Sequence, residues 1–372
     1  MNPRVSVIKC SSYDPDAVFG SVKNALNLLG GMAAFARPGS KVLVKPNLLI
    51  AKAPEYGITT HPEVVRAVVR LLKEINCSIS IGDGPCVWGR CFENMGYVYE
   101  ETGMKRIADE EGVELVKFDK RKWHGKFPLA SCLDDCDTLI SIPKFKTHEL
   151  TILTGAIKNL FGLVSGTYKT ELHMRYANIE DFARILVDIY EKTKPALTVV
   201  DGIVAMEGDG PGTGGELKKA DVLVAGADCV AIDTILAAIM GIGPAEVLTN
   251  KEAAKRGLGS AKVSDIEILG DRLENVTGSP FKLPGSSFKR KLPEPIVKIA
   301  RGLIRFFPVF QPAKCTKCCA CIEACPAHAL SMQDKRIAVD YSKCISCFCC
   351  QEACPASAIK VKKSLLARLL GL

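Results

Sequence analysis

No stretch of this 372-residue chain approaches the ~20 uninterrupted apolar residues that a membrane-spanning helix requires. The opening Met1-Asn2-Pro3-Arg4-Val5 runs straight into a strand pattern, without the apolar core of an export signal. These absences set the expectation of a soluble protein of the cytoplasm. Low-complexity tracts are also missing; with 48% hydrophobic and 24% charged residues, wholesale disorder and fibrous repeats are excluded. Neither Gly-x-Gly-x-x-Gly opening a helix nor a Walker-type Gly-Lys-Ser/Thr occurs, so the usual nucleotide-phosphate cradles are absent.

Cysteine, by contrast, is abundant and unevenly placed. Of 17 cysteines, ten lie between Cys315 and Cys354. An odd total with one dense cluster argues against a secreted disulfide scaffold and for thiolates that hold metal in a reducing compartment. The formal charge is +8. Two 4Fe-4S clusters on four thiolates each, at about −2 apiece, bring the loaded protein near +4, which gives no basis for a nucleic-acid partner.

Strand-like and helix-like segments alternate from Arg4 to about Gly270, the pattern of an α/β domain with a mostly parallel sheet and helices on both faces. Strands are expected at Val5–Lys9, Lys41–Lys45, Ser78–Ile81, Glu114–Phe118, Thr138–Ile142, Ala196–Val200, Asp221–Ala225 and Asp265–Leu269. Helices are expected at Asp16–Leu29, Pro62–Ile75, Tyr99–Glu111, Ile179–Lys192 and Asp228–Met240. The expected division is an α/β domain over 1–275, a Pro/Gly/Ser-rich linker over 276–312, a small α+β domain over 313–362 and a tail over 363–372. Within the linker, Ile296–Phe307 sets Lys298, Arg301 and Arg305 against an apolar stripe, and Lys362–Leu372 repeats that design. Both are expected to dock on a neighbouring domain or to make a peripheral membrane contact.

The cysteine spacing is the strongest signal. Cys315-x2-Cys318-x2-Cys321-x3-Cys325-Pro326 recurs 29 residues later as Cys344-x2-Cys347-x2-Cys350-x3-Cys354-Pro355. This resembles the bacterial-type two-cluster ferredoxins at all eight ligand positions. In that arrangement the fourth cysteine of each run ligates the other cluster. Cluster one therefore takes Cys315, Cys318, Cys321 and Cys354, and cluster two takes Cys344, Cys347, Cys350 and Cys325. Zinc also binds Cys-x2-Cys pairs, but the repeated triple-plus-one pattern favours iron. Cys319 and Cys349 are read as small apolar filler.

In open α/β sheets, ligands bind beyond the carboxyl ends of the strands. Four expected strands end in polar sequence: Pro46-Asn47, Gly82-Asp83-Gly84-Pro85, Pro143-Lys144-Phe145-Lys146-Thr147-His148, and Asp201-Gly202 followed by the glycine-rich run Met206–Gly215. If these loops converge, one rim gathers Lys45, Lys144, Lys146, Lys158 and Lys169 with Asn47, Asp83, His148, Asn159, Asp201 and Glu207. Lysines near a histidine suit an anionic ligand such as a carboxylate or phosphate. His173 lies in the same stretch. Cys86/Cys91 and Cys132/Cys136 are close pairs that could act as redox dithiols; Cys10, Cys77 and Cys229 look like core residues.

Lys-Pro-Asn at 45–47, Gly-Asp-Gly-Pro at 82–85, Pro-Lys-Phe-Lys-Thr-His at 143–148 and Thr-Gly-Ala-Ile-Lys-Asn-Leu-Phe-Gly at 154–162 resemble the family called domain of unknown function 362. That family is often fused to a C-terminal ferredoxin and implies an iron–sulfur redox protein, usually of anaerobes, without a settled reaction. More distantly, Asp137-Thr-Leu-Ile-Ser-Ile, His148 and Lys158 are similar to the N-terminal domain of the lactate racemase family. That likeness implies an acid/base role for His148 in a pocket for a small hydroxy acid. The remaining residues that hold that family's nickel cofactor find no counterpart here.

Two functions remain open. In the first, an oxidoreductase passes electrons from two 4Fe-4S clusters to a small anionic substrate, cofactor or disulfide, with His148 and Lys158 catalytic and Lys45, Asn47, Asp83, Lys144, Lys146, Asn159 and Glu207 binding it. In the second, a ferredoxin-like electron-transfer module docks a partner protein and does no chemistry of its own. A redox partner protein is expected in either case, and a homodimer is left open.

Overall fold

The computed structural model describes residues 2–85, 95–166, 168–176, 178–285 and 306–364. Helix starts follow from local capping. Asp14 accepts the Ala17 N–H at 3.0 Å ahead of the helix Pro15–Leu28, and Asp228 accepts those of Val230 and Ala231 ahead of Cys229–Met240. Each such cap satisfies donors that a helix start leaves orphaned. His61 caps Pro62–Lys73, its Nδ1 accepting the Glu63 N–H at 3.3 Å. The expected single helix over Tyr99–Glu111 is two, Met95–Glu101 and Met104–Glu111, broken at Gly103 with φ 74°.

The strands of the large unit are β1 (Arg4–Lys9), β2 (Lys41–Pro46), β3 (Ser78–Ile81), β4 (Glu114–Leu115), β5 (Arg121–His124), β6 (Phe127–Ala130), β7 (Thr138–Ile142), β8 (Lys144–His148), β9 (Ile152–Thr154), β10 (Leu197–Gly208), β11 (Gly215–Gly226) and β12 (Glu267–Gly270). The main sheet has ten strands, with the path β12-β1-β11-β10-β7-β2-β3-β4 and β8 and β9 branching from β10. Pairing is parallel from β10 through β7, β2 and β3 to β4. β11 runs antiparallel to both β10 and β1, so the sheet is mixed though mostly parallel.

Alternation along these strands feeds two cores. Leu43, Leu139, Val200, Val222 and Val224 face one hydrophobic cluster, with the helices Ile179–Thr193 and Cys229–Met240. Val42, Val44, Ile140, Ile142, Val199 and Leu223 face the other, with Pro15–Leu28 and Pro62–Lys73. Period-two alternation between two covered faces is what makes these strands near-continuous apolar runs. Each fully buried aliphatic side chain contributes roughly 1.5–3 kcal/mol.

Two segments depart from expectation. Pro143–His148, read as a loop, is largely the buried strand β8, which pairs with β10 and with β9. Its lysines are tolerated inside because carboxylates and carbonyls from other elements meet them, as described below. Phe306 and Phe307, expected at the end of a basic helix, lie instead in β13 (Phe306–Phe310), paired antiparallel with β16 (Ile359–Lys363). Aromatic and β-branched residues alternating across from Ile359 and Val361 suit a two-stranded ladder. Lys362 and Lys363, assigned to the tail helix, therefore close β16; Lys298, Arg301, Arg305 and residues 365–372 lie outside the described residues.

The small unit adds the hairpin β14 (Leu330–Gln333) and β15 (Arg336–Val339) and the short helices Ala320–Glu323 and Cys349–Glu352. Its backbone repeats as its sequence does. Lys317, Cys319 and His328 have left-handed φ of 58°, 62° and 48°, and Ser346, Phe348 and Ser357, each 29 positions on, have 56°, 59° and 51°.

Candidate functional site

Period two along β8 puts Lys144, Lys146 and His148 on one face and Phe145 on the other, where it enters the core against Phe281. The three polar residues then meet different partners. Lys144 Nζ lies 2.8 Å from Asp201 Oδ2 and donates to Tyr13 Oη at 2.8 Å, while Tyr13 donates to Asp201 Oδ1 and stacks on His61. This closed network lies apart from the cavity described below. Lys146 Nζ donates to the Ile58 carbonyl at 2.6 Å. His148 Nδ1 accepts the Leu150 N–H at 3.0 Å, which leaves the neutral ring's proton on Nε2, 3.1 Å from Glu352 Oε1 though out of line with it.

A second buried pair stands beneath the rim. Lys45 Nζ lies 2.7 Å from Asp83 Oδ1 and donates to the Asn159 Oδ1 at 3.2 Å; Asp83 in turn accepts the Leu48 N–H at 2.7 Å. Burial pulls the Lys45 and Lys144 ammonium groups below their ordinary range, and the facing carboxylates of Asp83 and Asp201 oppose that pull. Gly162 closes over this Lys45–Asp83 pair, and a Cβ there would stand 2.4 Å from Asp83 Oδ1.

Lys158 rides on the one-turn helix Ala156–Asn159. Asp233, from the helix Cys229–Met240, accepts the N–H of Ala156 at 2.6 Å and of Ile157 at 3.1 Å. Residue 155 must be glycine, because a Cβ would lie 2.0 Å from Asp233 Oδ1. Lys158 Nζ sits 5.9 Å from the Phe161 ring centre and makes no hydrogen bond or ion pair among the described residues.

These elements line a cavity that opens to solvent, about 600 Å³ with its mouth included, whose polar lining includes Asn47, Lys146, Thr154, Lys158, Lys169 and Glu352. Asp83, Asn159, Phe161, His173 and Pro211 complete its main walls. Lys169 donates to the carbonyls of Gly84 and Pro85. Thr154 Oγ1 and Asn47 Oδ1 are buried without a hydrogen-bond partner among the described residues. Burial and then the Lys158 charge hold His148 down to about 4, and burial does the same to His173, which stacks on Phe182. For Glu352, burial alone would raise the carboxyl; the neighbouring His148, Lys158 and His173 outweigh it and hold it low, to about 2.

The rim expectation therefore resolves into three groups. Asn47, Asp83, Lys146, Lys158, Asn159 and Lys169 line the cavity. Lys45 lies directly behind Asp83, and His148 behind Glu352. Lys144 and Glu207 lie elsewhere; Glu207 pairs with Lys218 at 3.2 Å and accepts the Lys282 N–H, which pins the β10–β11 hairpin. Thr154 and Pro211 lie in segments the sequence marked, the 154–162 motif and the glycine-rich run, without being singled out as site residues, and Glu352 carried no sequence signal.

Glu352 belongs to the small unit, so the cavity is built jointly. The glycine-rich turn after β10, placed on the rim by its sequence, docks that unit. Thr213 Oγ1 donates to the Cys354 carbonyl at 2.8 Å, and Ser357 Oγ donates to the Thr213 carbonyl at 2.6 Å. Ile50, Ile58 and Met206 pack against Ala324, Cys349 and Ala353, which makes Cys349 interface filler.

The eight repeat cysteines ring two further cavities in the expected sets. Cys315, Cys318, Cys321 and Cys354 line one of about 310 Å³, walled by Phe310, Ile337 and Ile359. Cys325, Cys344, Cys347 and Cys350 line another of about 330 Å³, walled by Pro308, Leu330 and Phe348. Among the described residues no three His, Cys, Asp or Glu side chains close round a single ion. Four sulfurs spaced round an apolar pocket fit a cubane, whose irons each take one thiolate.

Of the remaining thiols, Cys132 and Cys136 are half-buried, and burial pushes both up, Cys132 to about 12, which keeps them protonated near neutrality. Cys86 and Cys91 lie outside the described residues.

Residues 42–238 match the family described as a domain of unknown function, DUF362, and residues 307–355 match a 4Fe-4S dicluster domain. The chain belongs to the DUF362 family. A thylakoid-associated protein of Synechocystis sp. is 32% identical to this DUF362 protein over 261 residues, covering 68% of this chain and 79% of that one. The lactate racemase apoprotein from Thermoanaerobacterium thermosaccharolyticum is similar in structure at 14% identity and a TM-score of 0.36, over 53% of this chain. The chain spans about 50% of that protein's length, a likeness too partial to carry a site across. The dicluster domain supports iron–sulfur electron transfer as part of what this DUF362 protein does. No helix among the described residues is long and apolar enough to cross a membrane.

Proposed function

We propose that this protein exchanges single electrons, through two 4Fe-4S clusters, with a small anion held in the cavity where its two units meet. The observation that carries this reading is the wall shared by Lys158 and Glu352. Lys158 brings an ammonium without a hydrogen bond or ion pair among the described residues. Glu352 sits between Cys350, assigned to cluster two, and Cys354, assigned to cluster one. A 4Fe-4S cluster, when bound, supplies single electrons at low potential.

The chain's own residues supply recognition and order. Lys158 pairs with a carboxylate or phosphate, and Lys146 and Lys169, anchored on backbone carbonyls, reinforce the positive field. Thr154 Oγ1 and Asn47 offer hydrogen-bonding atoms to the rest of the ligand. His148 keeps its proton on Nε2 and orients Glu352, so it is a positioning residue rather than a group that touches the ligand. Phe161, Pro211 and Leu49 exclude water from the reacting end.

Calorimetric titration of the anaerobic holoprotein with inorganic phosphate, oxalate and acetate tests this. At least one of them binds, and Lys158→Ala weakens it roughly tenfold or more with iron content unchanged, because a hydrogen bond to a charged group contributes about 1.5–3 kcal/mol. Equal affinities in the two proteins refute the site.

A further inference from the structure

We propose that electrons enter or leave this protein at the face around Cys318, and that the partner seated there is an acidic one-electron carrier protein. The inference rests on the two-cluster reading and adds to it a docking face and a class of partner.

The small unit has one side already occupied. Ala324, Cys349 and Ala353 pack on the large unit, Glu352 walls the cavity, and Thr213 and Ser357 tie the two units together. Cys318 takes no part in that packing and is the exposed member of the eight assigned thiols; the other seven are half-buried or buried. Electron transfer falls steeply with distance, so an exposed ligand marks where a partner approaches most closely.

Charge identifies the partner. Lys314 and Lys317 flank Cys318, are exposed, and pair with no acid among the described residues. Ile337 lines the cluster-one cavity, and the hairpin that carries it presents Lys335 and Arg336, exposed and likewise unpaired among the described residues. Glu323 and Asp334 are the exposed acids on these elements, so cations outnumber them. Met332, 37% exposed, stands across the ladder from Ile337 and adds an apolar contact. A basic rim round an apolar centre steers a partner of opposite sign and loses its hold as salt rises. The exchange moves one electron between partner and chain, with no bond made or broken.

The test uses the full-length holoprotein under anaerobic conditions, with a plant-type ferredoxin as the acidic probe. Carbodiimide cross-links mapped by mass spectrometry are expected at Lys314 and Lys317. Lys314→Glu/Lys317→Glu is expected to abolish them and to slow reduction by the reduced probe at least tenfold at low salt. Reduction by the small cation methyl viologen should be no slower in the variant. Cross-links confined to other lysines, or unchanged reduction by the ferredoxin, overturn the proposal. Iron and sulfide are assayed on both proteins: a wild type with far fewer than about eight irons per chain refutes the two-cluster reading beneath. Full iron with the wrong cross-links refutes the docking face alone.

Discussion

His61, His148 and His173 share one effect of burial: each is held down to about 4 in the folded protein. In the unfolded chain they titrate near 6.5. Between those values the unfolded state binds more protons, so stability is full above about pH 6.5 and is lost as pH falls toward 4. Each histidine contributes a slope of at most about 1.4 kcal/mol per pH unit. His173 suits a test because its ring sits among Phe161 and Phe182, where phenylalanine is close in shape. The His173→Phe holoprotein should show a shallower fall in urea-unfolding stability between pH 6.5 and 5 than wild type, and superimposable slopes would contradict the burial argument. Residue identity was most legible where chemistry depends on spacing: all eight repeat cysteines fall round their two expected cavities. It was least legible at Glu352, because the first repeat carries Glu323 at the equivalent place. Glu323 is exposed and Glu352 buried, a difference set by which copy meets the large unit.

At the scale of elements, the short helix bearing Lys158 depends on a carboxylate from far along the chain. Asp233 is pushed up to about 7 by burial, yet it accepts two backbone N–H groups there. Asp233→Ala orphans both donors and should destabilise the protein by about 1–3 kcal/mol for each buried donor left unsatisfied. It should also release the turn that aims Lys158, so anion affinity measured by calorimetry should fall in step. Wild-type affinity in that variant would show that the cap does not position the lysine. The strands were readable because both faces of the sheet are covered, which turns them into apolar runs. Lys-Phe-Lys-Thr-His was not readable as a strand, since its burial depends on Asp201 and Ile58 from distant elements. The role of the glycine-rich turn was not readable for a related reason: its small residues admit the Gln351–Glu352 backbone from the distant small unit, with Glu352 O 3.3 Å from where a Gly212 Cβ would stand.

Across the whole molecule, the two units share an apolar interface, a cavity and the bonds of Thr213 and Ser357. The large unit owns two extensive cores, whereas the small one has a few buried residues and the thiols themselves. Metal binding to such a domain is folding free energy. Removing iron with a chelator under anaerobic conditions should therefore abolish amide-exchange protection over 306–364 while leaving that of β1, β2 and β7 intact. Retained protection in the small unit would show that it folds without its clusters.

The shared wall has one more implication. If the small unit folds only round its iron, Glu352 reaches the chamber in the loaded protein alone, and a cell starved of that element would carry the polypeptide with its binding room unroofed. Restoring the mineral would finish the pocket, and by reciprocity an occupant of that room would slow the loss of metal. Nutrient supply would then govern competence directly, with no separate regulator.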